Sequence, residues 1–342
     1  MRTILSKLKG GLSKDRAFIG VDIGTAQIKV VNIKSSKDQI ELIGFDIEPS
    51  KLELGETLKR LLNNQPGLPV NISVSGQQSV IRYVLFPRMS SSELRQALKF
   101  EAQKHIPFSV SEVNLDGYIL KDNLPDNKML VLVAAVKKDL VNQRLKLVEG
   151  AGYRVGLVGV DSIALVNLFN FNYPFIPSEG NNTVALLNIG ASISNLNILD
   201  EGIPRFSRDI HISGNTFTQK VADILSIEFM EAEKLKITPE LDKLNKIKAA
   251  VESALINLAG EIRASFDYYE SQGASMVEKI FLSGGSAKLT GLKDKLEHFL
   301  NIEVEEWEPL RRLKIASSVD LPKLKVVQGE LAVALGLALH SS

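Results

Sequence analysis

Short apolar blocks at residues 18–24, 28–34 and 40–47, the first two joined by a tight polar turn, predict three successive strands. The period then changes. Leu52, Leu54, Leu58, Leu61 and Leu62 fall on one side of a helix, and Pro66-Gly67 supplies a stop. "VNISVS", from Val70, reads as the next strand. Strands interleaved with a helix predict a mixed sheet and the start of an α/β domain.

A different pattern follows. Ser90 and Glu93 form a capping box for a helix over 91–105, with a stripe of Leu94, Ala97, Leu98, Phe100 and Ala102. Phe86-Pro87 precedes this helix and Pro107 is expected to end it. "MLVLVAAV" reads as a buried strand and "DLVNQRLKLVEGAG" as a helix closed at Gly150. Together residues 77–152 read as a small strand-and-helix module. "RVGLVGVDSIALVNLF" resumes with a strand and a helix. Later helices are expected after Ser213 and within "SIEFMEAEKLK", and a long one from Pro239 to Tyr269. Its stripe of Val251, Leu255, Leu258, Ile262 and Phe266 reads as core rather than coiled coil. The apolar "VQGELAVALGLALH" is expected to pack back on the first domain.

Two stretches repeat one hairpin. "FIGVDIGTAQIKVVNI" begins at Phe18 and "VALLNIGASISNLNIL" at Val184, with Asp22 in the first where the second has Asn188. A strand entering such a glycine turn exposes backbone N–H groups that can cradle phosphate oxygens. Thr25 and Lys29 add donors. One hairpin alone is weak, but two of them, each opening a domain, can face one another across a cleft. "LSGGSAKL" adds Gly284-Gly285 at a strand end, where a flat base can lie on the backbone. Glu233 and Lys236 stand one helical turn apart and can reach one ligand. The four elements point to a nucleotide clamped between two domains.

With 342 residues the chain is long enough for two domains, and 44% hydrophobic with 24% charged residues is ordinary for a soluble protein. A formal charge of +1 gives no field for nucleic acid. The absence of cysteine excludes disulfides, thiolate zinc and cysteine nucleophiles and fits a reducing cytosol. His105, His211, His298 and His340 lack metal-ligand spacing, and no apolar run approaches a membrane span. "MRTILSKLKGGLSKDR" reads as a mobile basic tail rather than a signal peptide or a membrane-touching helix.

The order phosphate turn, phosphate turn, AExxK helix and Gly-Gly turn resembles the superfamily of actin, heat-shock chaperones and sugar kinases. Within it, "VSGQQSVIRYVLFPRMSSSELRQALKFEAQKHIPFSVSEVNLDGYIL" is similar to the PilM family, FtsA-related cytoplasmic proteins of type IV pilus assembly. The resemblance runs from Phe18 to His340. It implies an actin-like, ribonuclease H-like α/β fold of two domains with an inserted subdomain. The expected division is a tail at 1–16, a first domain at 17–76 and 153–183, the insert at 77–152, a second domain at 184–324 and a returning helix at 325–342.

By the same resemblance, Asp22, Gly24, Thr25 and Lys29 match the first phosphate turn, and Gly190, Ala191, Ser192 and Ser194 the second. Gly214 matches a glycine near ribose and phosphates, Glu233 and Lys236 the ribose and base contacts, and Gly284, Gly285, Ser286 and Lys288 the adenosine turn. The implied ligand is ATP or ADP with Mg2+, held through Asp22 and, by way of water, Asn188. Most members carry aspartate at the Asn188 slot, and losing that carboxylate should weaken metal placement more than nucleotide contact. Asp161 either orients an attacking water or caps the helix that follows, so fast hydrolysis is not expected.

The implied function is a nucleotide-dependent scaffold at the inner face of the cytoplasmic membrane. Its implied partner is the N-terminus of a PilN-like inner-membrane protein, held between residues 77–152 and the first domain, with Arg88 and Arg95 expected to line the groove. Self-association is left open. A sugar or metabolite kinase is the alternative, but only Asp161 offers a base and the 77–152 module is no kinase feature. An FtsA-like division protein would be expected to end in a membrane-targeting amphipathic helix, which "LALHSS" does not supply.

Overall fold

A computed structural model describes residues 16–36, 39–50, 53–63, 67–175 and 182–340. The basic tail through residue 15, Leu52 and Pro66 lie outside the described residues. In chain order the first elements are β1 (Arg16–Ile23), β2 (Gln27–Ser35), β3 (Ile40–Pro49), α1 (Leu54–Leu62) and β4 (Val70–Val74). Next come β5 (Ser79–Pro87), α2 (Ser91–Ala102), β6 (Val113–Leu124), β7 (Lys128–Lys137), α3 (Lys138–Gly150), β8 (Val155–Val160) and α4 (Asp161–Asn172). The second half holds β9 (Thr183–Ile189), β10 (Ser194–Asp200), β11 (Ile203–Ile210), α5 (Gly214–Leu225), α6 (Phe229–Ile237) and α7 (Leu244–Glu270). It closes with β12 (Lys279–Ser283), α8 (Leu292–Leu300), β13 (Glu303–Glu306), β14 (Lys314–Ile315), α9 (Leu321–Val327) and α10 (Ala332–Ala338).

The repeat read in the sequence extends to whole sheets. One sheet runs β14-β3-β2-β1-β4-β8 and the other β11-β10-β9-β12-β13. In each, two antiparallel pairings are followed by a parallel one, so β1 and β9 occupy equivalent places. Alternation sorts the first sheet's faces. Ile19, Val21, Ile28 and Val30 meet α1 and α3, while Phe18, Val31, Ile33 and Leu42 meet α4 and α10. The second sheet buries Leu187, Ile189 and Leu196 beneath α7 and α8, and Leu186, Leu199 and Phe281 against α4. The two domains therefore share one core at their base, where Phe169, Tyr173, Phe281 and Trp307 pack ring against ring. Opposite that base lies the cleft.

The third sheet, β5-β7-β6, is antiparallel throughout. Helix α2 covers one of its faces through Leu94 and Leu98, and Ile163 of α4 meets the other. The capping box at Ser90 forms as expected, with Glu93 N–H donating to the serine hydroxyl. Two expectations for α2 are corrected. Phe100 is 78% exposed, because the packed stripe is Leu94, Leu98 and Ala102, spaced four apart. The helix also stops at Ala102, before His105 and Pro107. There the Gln103 side chain donates to the Phe108 carbonyl and accepts from Val110 N–H, turning the chain so that Ile106 is buried. Helix α3 packs under the first sheet, with Val148 and Ala151 beside Ile72 and Leu58.

Helix α10 is buried along its length. Backbone crosses backbone there: a Cβ on Gly20 would lie 2.0 Å from the Ala334 carbonyl oxygen, and one on Gly336 2.0 Å from that of Ala164. Gly260, by contrast, sits on the exposed side of α7 with nothing within 4 Å of its missing Cβ. Glycine to alanine in mid-helix should thus have opposite signs at these two places. We expect Gly260→Ala to stabilise by about 0.5–1 kcal/mol and Gly336→Ala to destabilise by about 3 kcal/mol or more, both read from denaturant unfolding. Equal effects would contradict the packing.

Candidate functional site

Both hairpin turns close with the same bond, Gly24 N–H to the Gln27 carbonyl at 3.1 Å and Gly190 N–H to that of Ile193 at 3.0 Å. The amides of Thr25, Ala26, Ala191 and Ser192 donate to no acceptor among the described residues, as an anion cradle requires. The turns face each other across the cleft, and the Thr25 and Ser192 hydroxyls are 2.7 Å apart. Residues one register pair inside each turn set its charge. Asp22 stands opposite Lys29 and their side chains pair at 2.8 Å. At the same register Asn188 stands opposite Asn195, and its amide donates to the Asn195 carbonyl oxygen at 3.2 Å.

The remaining expected residues gather around the second turn. Gly214 opens α5 hard against it: its N–H donates to the Gly190 carbonyl at 2.9 Å, and a Cβ would lie 2.5 Å from the Ser286 hydroxyl oxygen. Ser194, the next strand residue, is buried and donates to the Ile212 carbonyl. Lys236 is buried and donates to Glu233 at 2.6 Å and to the Thr218 hydroxyl at 2.8 Å. Burial lowers its pKa below the usual lysine range, against the opposing pull of Glu233. Gly284 has φ +95°, and a Cβ there would strike the Ile189 backbone at 2.4 Å, so no other residue fits. Gly285, Ser286, Ala287 and Lys288 follow in a short 3-10 turn.

Asp161 is not a cap. Val160 occupies the N-cap of α4, and Asp161 is the first helical residue, with no side-chain cap bond. Burial, then the charges of Asp22 and Asp209, push its pKa up to about 6. Burial acts to lower the Lys29 pKa, but the charge and hydrogen bond of Asp22, with Glu330 and Asp161 beyond, raise it overall. Among the described residues no cluster of three or more acidic or histidine side chains is arranged to hold a metal ion by itself, so a divalent cation would have to arrive with phosphates and meet Asp22. Asn188 is less suited, since its side-chain oxygen already accepts from Ser283 at 3.1 Å.

Glu330 escaped the sequence reading. It sits just before α10, pairs with Lys288, and its neighbour Gly329 accepts the Gly284 N–H at 3.0 Å. A lone acid opening an apolar helix in "VQGELAVALGLALH" was the available signal. Asp209 also escaped, having no motif around it. A groove on the outer side of the first turn is lined by Thr25, Ser50, Glu53, Glu56, Arg60 and Arg144. It joins the 77–152 segment, through Arg144 of α3, to the first domain. Neither Arg88 nor Arg95 lines it: Arg88 pairs with Asp122 at 3.0 Å beyond β5, and Arg95 is on the exposed side of α2.

A sequence profile described as type IV pilus assembly protein PilM matches residues 20–342. The solved PilM-PilN type IV pilus biogenesis complex superposes with a TM-score of 0.83 at 26% identity, over 94% of this chain and 97% of that one. Ethanolamine utilization protein EutJ from Carboxydothermus hydrogenoformans superposes with a TM-score of 0.57 at 14% identity, over 96% and 92% of the two chains, a likeness of fold alone. Among the described residues, no helix is long and apolar enough to cross a membrane.

The raised Asp161 value has a testable consequence. Folding favours its protonated form, so its contribution is present below its ordinary value of 3.8 and is lost as pH rises through about 6. Asp161→Asn stays neutral throughout. The stability of the variant relative to wild type should therefore grow by about 2 kcal/mol between pH 4 and 7 in urea unfolding. A difference that stays flat over that window would refute the assignment.

Proposed function

The chain belongs to the type IV pilus assembly protein PilM family, and on that premise we propose that it is a nucleotide-binding scaffold that docks a PilN-like inner-membrane partner from the cytoplasmic side. The observation that carries the nucleotide half is the pair of equivalent turns facing each other with unpaired amides and hydroxyls 2.7 Å apart. Phosphates enter between them. Lys29 and the amides of Thr25, Ala26, Ala191 and Ser192 then hold the phosphate oxygens. Glu233 and Lys236 meet the ribose and base, and the base lies on Gly284-Gly285. When bound, Mg2+ would supply positive charge to offset the negative charge of the phosphates. Asp22, at the first turn, is the carboxylate that would hold it.

Turnover in this reading is slow. Position 188 carries an amide, and burial makes Asp161 favour its protonated form more than an ordinary aspartate. The cleft serves as a switch or a structural cofactor site.

The partner half rests on the solved relative, a complex of PilM with PilN. The groove between the first domain and the 77–152 segment suits an extended peptide entering beside the first phosphate turn. Arg144 of α3 lines that groove and brings a guanidinium to it.

Two titrations test the two halves. With fluorescent ATP and Mg2+, Asp22→Ala should weaken binding by about tenfold or more, that is at least about 1.4 kcal/mol, with the far-ultraviolet dichroism of wild type. Unchanged affinity would sink the cleft assignment. With a synthetic peptide of the cognate PilN N-terminus, Arg144→Glu should weaken binding by a similar factor while Arg95→Glu leaves it within about twofold. The reverse order would move the peptide to the face of α2.

A further inference from the structure

The face of the second sheet that meets the first domain changes character along its strands. At the base Leu186, Leu199 and Phe281 enter the shared core; at the cleft end the same face is polar. Four direct cross-strand neighbours stand there in a row: Ser283 on β12, Asn188 on β9, Asn195 on β10 and Asp209 on β11. Each is bonded to the next. The Ser283 hydroxyl donates to Asn188 Oδ1 at 3.1 Å, Asn188 Nδ2 to Asn195 Oδ1 at 3.2 Å, and Asn195 Nδ2 to Asp209 Oδ1 at 2.7 Å. The row then leaves the domain. Asp209 Oδ2 accepts the N–H of Gly76 at 2.7 Å, where the chain departs from β4 for the inserted module.

The direction of every bond follows from the terminal carboxylate. A carboxylate only accepts, so Asn195 must turn its NH2 toward Asp209 and its carbonyl toward Asn188. Asn188 must then donate, which presents its carbonyl to the serine hydroxyl. A carboxylate at 188 would instead face the Asn195 carbonyl oxygen, lone pair against lone pair. The first hairpin holds its charge within one register pair, Asp22 with Lys29; the second holds it two strands away, at an edge that touches the other domain. A second contact runs beside it. The Ser207 hydroxyl donates to Asn197 Oδ1 and lies 2.7 Å from the Tyr83 hydroxyl on β5, so the module's first strand docks along β11.

We propose that Asp209 is a positioning residue that couples the cleft to the inserted module, through the amide row it polarises. One end of the row is Ser283, adjacent to Gly284, and the middle is Asn188, two residues before the second turn. The other end holds Gly76. A shift at either glycine turn moves the row, and the row moves the root of the module. This regulatory role rests on the nucleotide and peptide sites proposed above, but the row itself is tested without either ligand.

The test exchanges the charge. Asn188→Asp sets a carboxylate on each side of Asn195, which can donate toward only one of them, so it breaks the sequence. Asp209→Asn leaves an all-amide row that can flip end to end, with Asn188 donating to the Ser283 hydroxyl, so it removes the charge without breaking a bond. The double variant reverses the row intact. The new carboxylate at 188 accepts from Ser283 and Asn195, Asn195 accepts from the new amide at 209, and that amide's oxygen accepts from Gly76. In the unliganded full chain, Asn188→Asp alone should lower Tm by about 2–4 °C and speed exchange of the Gly76 amide by about tenfold, while Asp209→Asn alone stays within about 1 °C of wild type. The double variant should return to within about 1 °C of wild type, with Gly76 exchange restored. Additive losses would overturn the row as a unit. With Mg-ATP and the PilN peptide, Asp209→Asn should abolish the effect of nucleotide on peptide affinity while leaving each separate affinity within about threefold. A nucleotide effect that survives in the variant, or is absent from wild type, would overturn the coupling. Failure of wild type to bind either ligand would overturn the reading beneath it and leave the charge-exchange result standing.

Discussion

An apolar helix, α10, lies with its backbone against β1 on one side and α4 on the other, and both contacts exist only because Gly20 and Gly336 lack a Cβ. Close approach of this kind leaves no slack, since interiors are packed as densely as crystals of small molecules. Asn71 reinforces the seat by donating from β4 to the Leu337 and His340 carbonyls at the helix end. With α10 fixed, α4 is fixed, and α4 carries Phe169 into the aromatic cluster that the second domain shares. The base of the molecule is therefore one continuous apolar body serving both sheets.

At the base this apolar body is flanked by hydrogen bonds from Asn170 to the Gly202 carbonyl and from Asn172 to that of Pro309, whereas the contacts between the domains at the cleft end are polar. Single hydrogen bonds and ion pairs join them there: Thr25 with Ser192, Gly76 with Asp209, Tyr83 with Ser207, Lys288 with Glu330. Hydrogen bonds exchanged with water contribute about 1 kcal/mol each, against several for a buried aromatic cluster. The base thus acts as the hinge and the cleft as the part that yields. The inserted module spans this seam, packed on α4 through Ile163 and touching β11 through Tyr83. A ligand that separates or draws together the two turns acts on the module as well.

Much of this was legible in the residues. The hairpins announced themselves through glycine and a period-two apolar pattern, because a tight turn and a pleated strand each constrain residue type locally. The repeat of whole sheets was inferable from those hairpins, and Gly284 from the strand that precedes it. What escaped was whatever depended on meeting a distant partner. Phe100 falls at helical spacing yet points outward, since the direction of the α2 stripe is set by β6 and β7, not by α2. Asp161 looked equally like a cap, and only the N-cap falling one residue earlier, at Val160, separates the two roles. Glu330 and Asp209 carry no motif; their chemistry comes from residues tens or hundreds of positions away. By the resemblance Arg88 and Arg95 were expected to line the partner groove, whereas the groove beside the first turn takes its arginines from α1 and α3.

The central claim is that one cleft, built from two equivalent hairpins, takes an adenine nucleotide with magnesium. Hydrogen exchange read by mass spectrometry, with and without Mg-ATP, tests it most directly. The account predicts slowed exchange in three separate stretches, 22–29, 188–195 and 284–289, together with the start of α5. Slowing confined to one domain, or none at any of the three at saturating nucleotide, would contradict it.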